Sequence, residues 1–138
     1  MANEALVTAV KQIMALGKAG KTDEAFAGYK ALFESPAFRT YTPAEQRQAI
    51  KLVVNHKVPP HFPPPAMVEA HRAAIGPLSE LMASLNEPID YELLGICHVV
   101  VGNDAAAGNI FRTGLQLERE RDPGSNLCGS LMKWVAAV

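Results

Sequence analysis

The sequence lacks the features that mark several large classes of protein. Only two of its 138 residues are cysteines, aromatic residues make up 7%, and the net charge is −1. The longest strongly apolar stretch, LLGICHVVV, is much shorter than the roughly 20 residues that a membrane span needs. A nearly neutral chain also has little attraction for the phosphates of nucleic acid. We therefore expect no membrane span and no nucleic-acid partner.

The two cysteines, Cys97 and Cys128, have no CxxC spacing and lie in apolar segments, which favours inert buried thiols over a disulfide framework. The opening residues MANEALVTAV show neither the basic start nor the cleavage site of a secretory signal. Both observations predict a cytoplasmic protein. A length of 138 residues is typical of one domain, so we assign residues 1–138 to a single domain.

Motifs for catalysis, metal binding and nucleotide binding are missing as well. Cys97 and His98 are neighbours, and adjacent side chains on a helix diverge by about 100°, so they cannot act as a nucleophile and its base. The segment GKAGKT at 17–22 is too short between its glycines for a phosphate loop. The histidines have no spacing typical of a zinc site: His56, His61, His71 and His98. We expect no metal, no cofactor and no enzymatic activity.

What the sequence does contain is helical periodicity from end to end. Apolar residues recur at intervals of three and four, and no segment alternates as a strand does. Thr42, Pro43 and Glu45 have the spacing of a helix start with a capping box. Pro77 should bend or split its helix near Gly76. The predicted helices span about 3–18, 22–34, 43–56, 65–85, 90–101, 104–120 and 126–137, and the fold class is all-α.

Between the third and fourth helices lies HKVPPHFPPP, residues 56–65, which holds five prolines. Prolines at this density cannot sustain a helix, so the segment is predicted to be a stiff extended connection inside the domain. It contains a PxxP pattern from Pro60 to Pro63, which leaves open a role as a ligand of an aromatic groove on another protein.

One spacing of small and aromatic residues occurs twice, 82 residues apart: Gly20, Ala25 and Tyr29, then Gly102, Ala107 and Phe111. The second copy is preceded by Tyr91, Leu94, Gly95 and His98. The pattern resembles the tetratricopeptide repeat, a helix-turn-helix unit of about 34 residues. Tyr91 stands where that family has tryptophan, and the first copy lacks the Leu-Gly pair. The resemblance covers residues 5–38 and 88–122.

The resemblance implies a right-handed stack of about three antiparallel helix pairs, closed by a C-terminal capping helix at 126–137. In such a stack the first helix of every pair lines a concave surface. Basic and polar residues recur along two of these helices at intervals of seven and four, which predicts a groove that holds an acidic partner peptide. The candidate peptide-binding residues are Lys11, Met14, Lys18, Arg47, Lys51, Asn55, Ile96 and Val99.

Other functions remain open at this point. The basic residues are also what the solvated faces of amphipathic helices carry. The apolar fifth and last helices are compatible with a structural subunit that forms a homo-oligomer or joins a larger complex. The third-ranked hypotheses are a small helical enzyme and an RNA-binding repeat protein. The RNA-binding hypothesis arises because GKTDEA at 20–25 also suits the related pentatricopeptide family. The leading hypothesis is a non-enzymatic adaptor or scaffold that binds another protein or peptide.

Overall fold

The computed structural model describes residues 3–55 and 62–138, and within those ranges the chain is helical and has no strand. A short 3-10 helix, Pro36–Thr40, precedes α3. The α-helices are α1 (Glu4–Lys18), α2 (Thr22–Glu34), α3 (Pro43–Lys51), α4 (Pro65–Leu85), α5 (Pro88–Val100), α6 (Asp104–Arg121) and α7 (Asn126–Ala137). The predicted all-α class is confirmed. His56, His61 and part of the PxxP pattern lie outside the described residues.

Local signals place most of the helix ends. Thr42 caps α3 by accepting the backbone N–H of Glu45 at 3.1 Å, and the Glu45 carboxylate accepts the backbone N–H of Thr42 at 3.0 Å. However, α3 ends at Lys51, five residues before the predicted end, and a turn follows it. α4 runs through the buried Pro77 without being split. No described helix is long and apolar enough to cross a membrane.

The helices pack in an order that differs slightly from their order in the chain. α2 packs against α1 and α4, α4 packs against α5, and α6 lies between α5 and α7. The shorter α3 contacts α4 less extensively. One apolar core extends through these layers, and its largest fully buried side chains include Phe33, Phe38, Ile50, Leu78, Leu93, Phe111 and Leu131.

Glycines allow the closest helix contact and two turns. A Cβ added at Gly95 on α5 would lie 2.4 Å from the ring of Phe111 on α6. The two helices can therefore approach only because position 95 has no side chain. Gly20 and Gly102 have φ of 81° and 84°, in the left-handed region that favours glycine. Both lie in the turns where the sequence pattern expects them.

Burial of His71 should make the stability of the protein depend on pH. Its ring is buried in α4, and Nδ1 donates to the carbonyl oxygen of Met67 at 2.8 Å. Burial lowers its pKa below the ordinary value of 6.5. The unfolded chain therefore takes up a proton first as the pH falls, so the free energy of unfolding should decline from about pH 6.5 downward.

Substituting His71→Gln should flatten this decline, as measured by urea unfolding at several pH values between about 5 and 8. The comparison with the native chain isolates His71, since partial burial also lowers the pKa of His98 and both chains retain that residue. Parallel curves for the two proteins would show that His71 does not couple folding to protonation.

Candidate functional site: the groove between α1 and α3

A groove of about 370 Å³ runs between α1 and α3. Its floor is formed by the buried Leu6 and Ala49. Its walls include three large apolar side chains that stay in contact with solvent: Val7 is 37% exposed, Met14 41% and Leu52 44%. The complete lining is Asn3, Leu6, Val7, Val10, Lys11, Met14, Glu45, Gln48, Ala49 and Leu52. The groove is thus largely apolar and open along its length.

One carboxylate ties the starts of the two helices together. Glu45 accepts the backbone N–H of Asn3 at 2.7 Å and that of Thr42 at 3.0 Å. Asn3 and Thr42 are the N-caps of α1 and α3, so Glu45 satisfies a donor at both helix starts. The hydrogen bonds from Thr42 and then Asn3 lower the pKa of Glu45. Met14 of α1 and Leu52, which directly follows α3, line the same groove.

Three lysines lie in or beside the groove. Lys11 is part of its lining, whereas Lys18 and Lys51 stand in the last turns of α1 and α3. All three are exposed, and none forms an ion pair with another described residue. The last turn of a helix carries partial negative charge, so Lys18 and Lys51 also interact favourably with their own helices.

Arg47 does not belong to the groove, although the sequence groups it with these lysines. Its guanidinium donates to Asp90 through Nε to Oδ1 at 2.7 Å and through Nη2 to Oδ2 at 2.8 Å. Asp90 is fully buried in the first turn of α5. The hydrogen bond to Asp90 raises the pKa of Arg47. Arg47 therefore fastens α3 to α5 and is not a free cation for a ligand.

The remaining candidates are divided between the surface and the interior. Asn55 is exposed beyond the end of α3. Ile96 on α5 is only 1% exposed and Val99 is half-buried, because α4 and α6 pack on either side of that helix. Ile96 is thus covered by the chain itself, and neither residue lines the groove. Of the eight candidates, only Lys11 and Met14 line the groove.

Sequence reasoning missed Val7 and Leu52 as members of the groove. The signal was present in α1, where Val7, Val10 and Met14 form a second apolar row beside the buried Leu6 and Ile13. When the apolar face of a helix is wider than one neighbouring helix can cover, the remaining apolar residues indicate contact with a second element. Periodicity alone could not show that α3 would supply the opposite wall.

The described residues also bear on a metal site and on a reactive thiol. No group of three or more His, Cys, Asp or Glu residues within 3–55 and 62–138 is placed to hold a metal ion. Cys97 and Cys128 are both buried as free thiols, as predicted. Burial raises the pKa of Cys97, which disfavours the thiolate that a nucleophile needs.

No protein-family model, curated protein or solved structure matches this chain. The resemblance to the tetratricopeptide repeat therefore stays a prediction drawn from the residues that carry it.

Proposed function

We propose that this protein is a non-enzymatic adaptor whose groove between α1 and α3 binds a segment of a partner protein. The observation that carries the proposal is the exposure of Val7, Met14 and Leu52 along one groove. Apolar side chains that cluster on an otherwise polar surface mark interaction sites. The volume lies near the lower end of the roughly 300–1,000 Å³ of small-molecule pockets, and an open groove of this size suits several side chains of a longer segment.

The proposal includes a tetratricopeptide-like stack with α1–α2, α3–α4 and α5–α6 as the hairpins and α7 as the closing helix. In that arrangement α1 and α3 are neighbours on the concave surface. This is supported by Glu45, which accepts hydrogen bonds from the N-cap residues of both helices. The close approach of Gly95 to Phe111 supports the pairing of α5 with α6. The cytoplasmic location stays a prediction of the sequence.

The alternative proposal is a structural subunit that self-associates through α5 and α7. It requires open apolar surface on both helices. α5 has little, since Leu93 and Ile96 are buried, whereas α7 exposes Met132 to 48%. The groove between α1 and α3 exposes three large apolar side chains, Val7, Met14 and Leu52, and this favours the adaptor.

The proposed function is tested by removing the apolar walls of the groove. A variant with Val7→Ser, Met14→Ser and Leu52→Ser should keep its helical content and lose any partner that the native chain captures from its own cell lysate. Exposed substitutions usually change stability by only about ±0.5 kcal/mol each, so folding should survive. Quantitative mass spectrometry of the captured proteins measures the loss.

The matched control is Met132→Ser, which removes a methionine of similar exposure from α7. This variant should capture the same proteins as the native chain. Unchanged capture by the groove variant would refute the adaptor proposal. A native dimer that Met132→Ser dissociates, measured by sedimentation velocity, would favour the alternative.

A further inference from the structure

We infer that the segment bound between α1 and α3 is an acidic amphipathic helix. This inference rests on the proposed function of the groove and adds the chemistry of its occupant. It is carried by the charges that the groove leaves unpaired and by the spacing of its apolar side chains.

The charges favour an acidic occupant. Among the described residues that line the groove, Lys11 is the one cation and Glu45 the one carboxylate. The charge of Glu45 is already engaged by two backbone N–H groups at the start of α1 and α3, where helix dipoles favour a negative group. Lys11, Lys18 and Lys51 have no carboxylate partner among the described residues. Carboxylates on a partner would complement them.

The apolar spacing favours a helix over an extended strand. Val7 and Met14 are seven residues apart on α1, which is two turns, or about 10.5 Å along the axis. Leu52 stands on the opposite wall. An amphipathic helix that binds in an apolar groove contacts it with side chains at positions i, i+3 or i+4, and i+7. Carboxylates at the flanking positions of that helix would complement Lys11 in the lining.

Two synthetic peptides test the inference on the full chain. Both carry leucine at i, i+3, i+4 and i+7 over about four turns, one with glutamate and the other with lysine at the remaining positions. Fluorescence anisotropy should show the acidic peptide binding about tenfold tighter than the basic one. Its affinity should weaken between 0.1 M and 1 M salt, because the Debye length falls from about 10 Å to about 3 Å.

Two variants separate charge from apolar contact. Lys11→Glu should lower the affinity for the acidic peptide about tenfold and raise the affinity for the basic one, since it replaces an attraction by a repulsion. Leu52→Ser should lower the affinity for both peptides, because it removes an apolar contact that they share. The matched control is Lys133→Glu, which reverses an exposed charge on α7, away from the groove, and should leave both affinities unchanged.

Each outcome decides the inference. The inference is supported if the chain prefers the acidic peptide and if both Lys11→Glu and Leu52→Ser weaken the binding of that peptide. If the two peptides bind equally and Leu52→Ser still weakens their binding, the inference of an acidic occupant is wrong, but the groove remains a binding site as proposed. Binding of neither peptide overturns the inference, whereas the proposed function is decided by the capture experiment with the triple groove variant. A dimer that Leu52→Ser dissociates, with no peptide binding, would identify a second copy as the occupant and overturn the inference.

Discussion

Arg47→Ala is expected to lower the free energy of unfolding by about 3 kcal/mol. The substitution leaves the fully buried Asp90 without the guanidinium that holds both of its oxygens. Removing one partner of a buried ion pair typically costs about 3–5 kcal/mol, and the lower end applies because the side chain of Arg47 is 20% exposed. Urea unfolding followed by circular dichroism measures the loss.

Two further variants show whether the loss comes from Asp90. Lys51→Ala removes an exposed cation from the same helix and should change stability by at most about 0.5 kcal/mol. The double variant Arg47→Met, Asp90→Leu removes both charges and should recover most of the stability, since apolar replacements of a buried pair are often neutral. If Arg47→Ala were as mild as Lys51→Ala, the pair would contribute nothing to the fold.

Gly95→Ala is expected to lower the free energy of unfolding by about 1–3 kcal/mol, even though alanine is the better helix former. The new Cβ would lie 2.4 Å from one carbon of the Phe111 ring and 2.7 Å from two others. The ring has little room to retreat, because it is fully buried and stacked on Trp134 with their centroids 5.3 Å apart. Thermal and urea unfolding measure the effect.

The matched control is Gly129→Ala in α7, where no described atom lies within 4 Å of the added Cβ. That substitution should raise the free energy of unfolding by about 0.5–1 kcal/mol through helix propensity alone. A double-mutant cycle of Gly95→Ala with Phe111→Leu should show coupling, since the smaller side chain relieves part of the overlap. A stabilising Gly95→Ala would mean that α5 and α6 are not in such close contact.

The helices were largely predictable because their signals are local. The capping box at Thr42 and Glu45, the prolines before α4 and the glycine turns each act within a few residues. The end of α3 was not predictable in the same way. Val53 and Val54 are buried in the turn after it, so the apolar pattern continues where the helix does not.

The groove was only partly predictable because it depends on contacts between distant segments. The sequence placed Lys11 and Met14 on a candidate binding surface, and both line the groove. It also placed Arg47 there, since Arg47 and Lys51 are four residues apart and share one side of α3. The partner of Arg47 is Asp90, 43 residues further along the chain. Periodicity identifies the direction of a side chain but not the element that packs against it.

The amino-acid sequence alone determined the all-α class, most helix ends and the turns at Gly20 and Gly102, because each depends on backbone preferences and hydrogen bonds among neighbouring residues. Tertiary structure alone decided which residues line the groove between α1 and α3. It joined the starts of α1 and α3 through Glu45, paired Arg47 with Asp90 and buried Ile96. The physical reason is that apolar burial and charge pairing are set by proximity in space, which the packing of helices distant in the chain creates.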